Sequence, residues 1–502
     1  MTAVSGPPSS VESRWRHVRD RLRTAVLTPV RAMRLRYLPL LMIYFAYGAL
    51  GLVTIAQAFW IKEALTFTPA ELASIAVWLT LPWTIKMVFG QLADSVPVSG
   101  SQRRAYVYIG ASLVATGLVI LAGAAGGWIA FASKNALYVT AQLLIVIGVV
   151  LQDVVADAMT TEVVDRKRPD GTPRPLHEVE RELGLVQVLG RLALWSGILS
   201  VAGLSGWLAQ VFSYETVFLL GLIVPAISVT GATLVRLDSA SRQPIDWRIL
   251  GGGLLFGVAV LAIGLGGLPF GQELIFLISV TIIGLMLARV AQDVEEQHRK
   301  KILFAALVIF FYRATPGVGE GYRWFTIDVL GFDEGFYGTL AQVGAGLSLV
   351  GAWLFSDVIT RQPIPKVLLW LTVLGTILTL PSLALALRWD EWTEQMFGFG
   401  ARTIAFVDTT VSSPFVELSM IPALTLVALN APPGRRATWF ALMASLMNVA
   451  LVAGQLQTKY LNLLFDVDRG SYENLPVLVG AVLLIGFVVP VAGVLAFGRR
   501  AT

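Results

Sequence analysis

The stretch PWTIKMVFGQLADSVPVSGSQRRAY, residues 82–106, holds the tail of one apolar run, a short polar loop and the head of the next. Lys86 stands inside the first run, eight residues before Asp94, and the loop closes on Arg103 and Arg104. An apolar run of about 20 residues is the length of one membrane crossing, and a basic pair just beyond it marks the cytoplasmic side. The same alternation repeats outward in both directions along 502 residues, of which 56% are hydrophobic and 14% charged. Soluble domains carry about 25% charged residues. No soluble core needs so much apolar surface, because a globule must cover itself with polar groups. Soluble enzymes, nucleic-acid-binding modules and disordered chains are thereby excluded, and an all-α polytopic membrane protein remains.

Apolar segments fall near 37–60, 69–93, 104–126, 136–164, 183–211 and 214–235, then 248–268 and 273–290, then 302–324, 334–357, 365–387, 399–430, 435–465 and 475–498. These predict 14 spans; the alternative is 12, with the middle pair re-entrant or peripheral. The pattern divides the chain into a basic amphipathic tail at 1–36, a six-helix half at 37–235, a central linker with two extra spans at 236–301, a second six-helix half at 302–498 and a tail at 499–502. With the N-terminus inside, 28 Lys and Arg fall on the cytoplasmic side and four outside: Lys62, Lys134, Arg388 and Arg469. That bias predicts a multi-pass protein of the cell inner membrane with both termini cytoplasmic. Residues 10–36 read as a helix lying on an anionic inner leaflet; an organellar transit peptide is the rival reading.

The chain has no cysteine, so thiol redox chemistry and thiolate metal sites are absent. His17, His177 and His298 all lie in charged stretches between apolar runs. No metal site, no cofactor and no histidine proton relay is therefore expected. No lysine follows a glycine, which excludes a Walker A loop. The partners implied are a small-molecule substrate, protons and the lipid bilayer, with no nucleic acid; nothing in the pattern assigns an oligomeric state.

Charged side chains at mid-bilayer cost about 2.5–3.5 kcal/mol each on insertion scales, so they are functional candidates. At 1.5 Å per residue, Lys86 and Arg191 lie about 12 Å from their cytoplasmic helix ends, Asp153 about 16 Å and Asp157 about 10 Å. Asp153 and Asp157, four apart, share a helix face. The four form a candidate ion-pair and proton-coupling cluster, because a carboxylate that exchanges a basic partner for a proton is a coupling device. A merely structural ion-paired network is the competing reading. Glu162 points elsewhere, to the cytoplasmic rim. Gly90, Asp94, Arg103 and Arg104 form a candidate inner loop or gate. In the second half Arg313, Asp408 and Glu417, with Tyr312, Tyr322 and Trp324 nearby, form a candidate substrate-binding set.

Gly90-Gln-Leu-Ala-Asp94 followed by Arg103 and Arg104 resembles the loop signature of the major facilitator superfamily. A longer set resembles the folate–biopterin transporter (BT1) family over 37–235 and 302–498. It comprises Pro82, Trp83, Ile85, Lys86, Gly90, Asp94, Pro97, Gly100, Arg103, Arg104 and Tyr106, then Asp153, Asp157, Ala158 and Glu162. Thr315, Pro316, Leu330, Gly331 and Phe332 continue it. Pro422, Pro432, Pro433, Gly434, Thr438, Phe440 to Met443, Ser445 and Asn448 complete it. The resemblance implies a major facilitator fold, here two six-helix halves plus two extra central helices. It also implies a secondary active transporter, a symporter moving a folate- or pterin-like aromatic organic anion with protons by alternating access, and not an enzyme. A pterin's donor–donor edge suits a carboxylate, its flat face suits aromatics, and a glutamate tail suits Arg or Lys. Arg436 stands where the family carries an acidic residue, and Arg191, Arg313 and the pair at 248–290 also depart from its pattern. The alternatives are a transporter of another organic solute and a non-transporting membrane assembly factor on the same scaffold.

Overall fold

The computed structural model describes residues 33–101, 103–168, 170–234, 245–266, 268–292, 295–360, 362–431 and 436–501, without the side chains of 265, 353, 356–360, 417 and 436–438. The expected tail helix at 10–36 lies almost wholly outside the described residues. Six helices build the first half: α1 Leu35–Ala64, α2 Pro69–Ser95, α3 Arg104–Gly126, α4 Lys134–Glu162, α5 Leu176–Val211 and α6 Tyr214–Leu234. The central pair is α7 Trp247–Leu265 and α8 Gly271–Val290. The second half contains α9 Glu296–Arg313, α10 Glu320–Asp328, α11 Glu334–Thr360 and α12 Ile364–Ala386. It ends with α13 Trp389–Phe397, α14 Ala401–Leu429, α15 Arg436–Leu464 and α16 Leu475–Ala501.

Among the described residues, 12 helices are long and apolar enough to cross a membrane. The expected 14 are not all met, and the 12 differ from the alternative count because α7 and α8 are among them. The expected spans that fall outside the set are those of α9 and α11. Helix α9 opens on the polar run EQHRKK and stops at Arg313, so its 18 residues hold too short an apolar stretch. In α11 six side chains lie outside the described residues.

Local chemistry sets where helices begin. Thr68 caps α2 in a reciprocal box, accepting from Glu71 N–H at 3.1 Å while Glu71 accepts from Thr68 N–H at 2.8 Å. Ser133 and Ser213 cap α4 and α6 in the same sense. Small residues let helices cross closely. A Cβ on Gly48 would meet Leu194 O at 2.1 Å, and one on Gly197 would meet Phe45 O at 2.2 Å, so α1 and α5 pack backbone to backbone. The halves meet along two seams, α2 on α15 and α5 on α11. The central pair lies outside the first seam, with α7 against α2 and α8 against both α2 and α15. Only 6% of the apolar stretch of α7 is buried, against 61% for that of α1, so α7 faces the surroundings. Glu273 of α8 is held by Lys459 at 2.9 Å and by Tyr460 at 2.6 Å, while Gln272 donates to Ser74 O at 3.2 Å.

Helix α2 and the expected span at 302–324 are both broken, and α15 accommodates both breaks. Helix α2 is interrupted at Ile85, just after Pro82 and just before Lys86. The carbonyls of Trp83 and Thr84 accept from Asn448 at 3.1 Å and Ser445 at 3.0 Å. The expected continuous span at 302–324 is instead two helices separated by Ala314–Gly319, where Pro316 lacks an N–H and Gly319 has φ +83°. There Gln457 donates to Ala314 O at 2.9 Å, Asn462 to Val318 O at 3.2 Å, and Gly317 N–H to Thr458 at 2.9 Å. Backbone groups freed inside a bilayer must find such partners.

Candidate functional site

The break in α2 presents Lys86 to α4. Its Nζ lies 2.5 Å from Asp153 Oδ2 and 2.6 Å from Asp157 Oδ2, one cation bridging the two carboxylates. Tyr44 of α1 donates to the other Asp157 oxygen at 2.6 Å. Asp153 is the more buried partner, 12% exposed against 49% for Asp157. A Cβ on Gly190 would come within 2.8 Å of the Tyr44 ring, so that glycine leaves room for it. The structure therefore brings together three of the four clustered charges. Arg191 on α5 is exposed and, among the described residues, makes no ion pair within 4 Å; it stays within electrostatic reach of Asp153 and Tyr44.

The loop residues form a second network on the face where α1 begins and α16 ends. Arg103 binds Asp94 at 2.6 Å and Glu162 at 2.5 Å and is itself buried. Arg104 donates to Tyr108 at 2.8 Å, and Gly90 lies beside Val154. Next to it, buried Glu182 collects Arg34 at 3.1 Å, Arg36 and Arg174 at 2.7 Å and Tyr37 at 2.5 Å. This ties the entry of α1 to the start of α5.

On the opposite face the halves are closed against each other. Lys62 pairs with Asp328, which also accepts from Tyr472 at 2.6 Å. Arg469 donates to the carbonyls of Ile61 at 3.1 Å, Phe67 at 3.2 Å and Lys62, and its guanidinium lies 4.2 Å above Trp324. Tyr214 lies 3.0 Å from Glu63 and 3.2 Å from Glu334. A Cβ on Gly206 would come 2.5 Å from Gly338 Cα, so α5 and α11 touch there directly.

Between the halves lies a cavity of about 420 Å³ lined by Gln57, Tyr138, Thr315, Glu320, Arg323 and Gln455. A second space of about 560 Å³ opens inside the second half, with Tyr312, Arg313, Thr372, Thr376 and Ser419 on its wall. The two share Thr315, Gly317 and Leu451, the broken segment and its partner.

Of the expected binding set, Tyr312 and Arg313 line the second space, where Arg313 also reaches Met420 Sδ at 2.9 Å. Trp324 is fully buried under Arg469 and lines neither cavity. Asp408 on α14 also lines neither, with Tyr322 within its electrostatic reach. The Glu417 side chain lies outside the described residues. Sequence reasoning missed Tyr44, Glu320, Gln57 and Tyr138 and left Arg323 without a role. A glutamate and an arginine three apart at the end of an expected span were the available signal for Glu320 and Arg323. Tyr44 has none.

Comparison with known proteins agrees with this architecture. The family model described as BT1 family matches residues 48–500. A folate-biopterin transporter of Synechocystis is 27% identical over 446 residues, 88% of this chain and 78% of that protein. Folate transporter 1 of Plasmodium falciparum is 21% identical over 86% of this chain and 74% of its own length. Among solved structures, a POT family transporter in complex with 5-aminolevulinic acid aligns with a TM-score of 0.63 at 14% identity, covering 93% of this chain and 96% of that one. That likeness shows a shared major facilitator fold. The chain belongs to the BT1 family, and it is a multi-pass membrane transporter, not an enzyme.

Proposed function

We propose that the chain moves a folate- or pterin-like aromatic organic anion across the cell inner membrane by proton-coupled alternating access. Both termini are cytoplasmic on this reading, and the basic segment before α1 rests against anionic lipid. The names of its relatives support the substrate class. The observation that carries the coupling is Lys86 held between Asp153 and Asp157 at a helix break.

Protonation of either aspartate removes one of the two negative charges that hold Lys86. The lower part of α2, which begins at Lys86, is then less firmly bound to α4. Because α2 also forms the seam with α15, a change at Lys86 reaches the contact between the halves. Tyr44 keeps Asp157 oriented, while Asp153 leans on Lys86 and is the partner more exposed to the loss of that bond. Substrate enters the space between the halves, and the closed face with Lys62, Asp328 and Arg469 opens in the other half of the cycle.

Uptake of labelled folate, biopterin and other organic anions into proteoliposomes, with and without a pH gradient, tests this. Folate or biopterin accumulating only with the gradient is the expected result. Accumulation of a different solute alone overturns the substrate, and flat uptake of every anion favours the scaffold reading.

A further inference from the structure

The charged wall of the central cavity carries hydrogen-bond acceptors and donors side by side. Glu320 and Arg323 sit one turn apart on α10, immediately after the break, with Arg323 Nη1 3.1 Å from Glu320 Oε2. Their side chains are 32% and 38% exposed, and both line the space between the halves. Among the described residues neither side chain has another ion pair or hydrogen bond. A carboxylate engaged at one oxygen keeps acceptor sites, and a guanidinium engaged through one N–H keeps four donors. The pair therefore sets two carboxylate acceptors beside guanidinium donors on one cavity wall. Tyr138 lines the same cavity, as does Gln57, which accepts from Gln142 at 2.8 Å.

We propose that Glu320 and Arg323 recognise a 2-amino-4-oxopyrimidine edge. Such an edge presents two N–H donors followed by a carbonyl acceptor, the complement of the wall. Glu320 accepts from the 2-amino group and N3–H, and Arg323 donates to the 4-oxo oxygen. A 2,4-diaminopyrimidine lacks the N3 hydrogen and puts an amino donor against the guanidinium, so two of the three contacts become unfavourable. The inference rests on the folate- or pterin-like substrate proposed above and adds the side chains that read its ring. It moves the ring-binding carboxylate from Asp408 and Glu417 to Glu320. Guanine carries the same edge, so the shared chemistry is the edge itself and the test must separate the two sources.

The test is binding of tritiated folic acid and of guanine to the purified full-length protein, with pterin and 2,4-diaminopteridine as competitors. Folic acid binds and pterin competes, while 2,4-diaminopteridine is weaker by roughly 10- to 100-fold, the size expected for losing charge-assisted hydrogen bonds. Glu320→Gln weakens the 2-amino-4-oxo ligands by a similar factor, and Arg323→Lys retains part of the affinity. Exchanging the charges with Glu320→Arg and Arg323→Glu keeps an ion pair but reverses the order; it loses these ligands while its melting temperature stays near wild type. Folic acid binding that ignores Glu320→Gln and the exchange overturns the inference and leaves the transport reading standing. Guanine binding without folic acid supports the edge and overturns the folate reading. No binding of either overturns both.

Discussion

The break in α2 and the break between α9 and α10 are handled alike, yet the residues just beyond each differ. In both, α15 takes the freed backbone groups, through Ser445 and Asn448 at the first and Gln457, Thr458 and Asn462 at the second. After the first break comes Lys86, clamped between two carboxylates at 2.5 and 2.6 Å. After the second come Glu320 and Arg323, joined at 3.1 Å with capacity to spare and facing the cavity. A cation clamped by two carboxylates loosens when a proton or a competitor removes one of them, which suits a switch. An unsaturated pair on a cavity wall suits a ligand. The same backbone device thus serves two tasks, set by its neighbours in sequence.

The largest effect that would sharpen this contrast is at Lys86. Lys86→Met strands Asp153, the more buried of the two carboxylates, and should cost at most about 3–5 kcal/mol, the range for breaking a buried pair. Thermal unfolding in detergent reads the loss, and gradient-driven accumulation should vanish. Adding Asp153→Asn and Asp157→Asn should return much of the stability but not the accumulation. A stable Lys86→Met that still accumulates substrate breaks the comparison.

Uncapping the breaks comes next. Asn448→Leu and Gln457→Leu each leave a part-buried carbonyl at a helix break without its partner, at about 1–3 kcal/mol. Both should melt lower, but only Gln457→Leu, at the break that precedes Glu320, should also weaken ligand binding. Equal effects on binding would erase the distinction between the two breaks.

A smaller effect is expected at the closed face. Gly206→Val intrudes on Gly338 and should hold α5 away from α11. The chain has no native cysteine, so Gln57→Cys gives a clean thiol readout in the cavity. Labelling by an impermeant reagent from that face should rise severalfold in the Gly206→Val background.

The smallest effect concerns Asp333, in the loop before α11. Burial pushes its carboxyl up, but the Phe336 N–H at 2.8 Å and Arg402 at 2.6 Å outweigh it and hold the group below its ordinary value. Its contribution is full above the ordinary carboxylate range and is lost as pH falls through the depressed value. Because the pair is about half exposed, Asp333→Asn should cost below about 1 kcal/mol near neutral pH and flatten the acid side of the stability profile.

Much of this was legible in the chain because helix geometry is simple. Asp153 and Asp157 share a face by spacing, and depth arithmetic placed Lys86 at their level. The same arithmetic says nothing of direction around a helix, so it could not separate Arg191, which stays near the aspartates without pairing, from Lys86. Treating 302–324 as one helix hid the break and drew Trp324 into the binding set; Trp324 lies instead under Arg469, a residue of a loop 145 positions later. Tyr44 looks like any tyrosine in an apolar run, and only the packing of α1 against α4 reveals its bond to Asp157. The central pair was legible as two apolar helices, but its grip on Lys459 and Ser74 depends on side chains far away in sequence.

The most direct test of the coupling compares two modes of folate movement in proteoliposomes, for wild type and for Asp153→Asn with Asp157→Asn. Wild type should accumulate labelled folate under an imposed pH gradient and also exchange it at equal pH. The double variant should keep the exchange and lose the accumulation. Accumulation that persists undiminished in the double variant would contradict the account, because the proton would then be carried elsewhere.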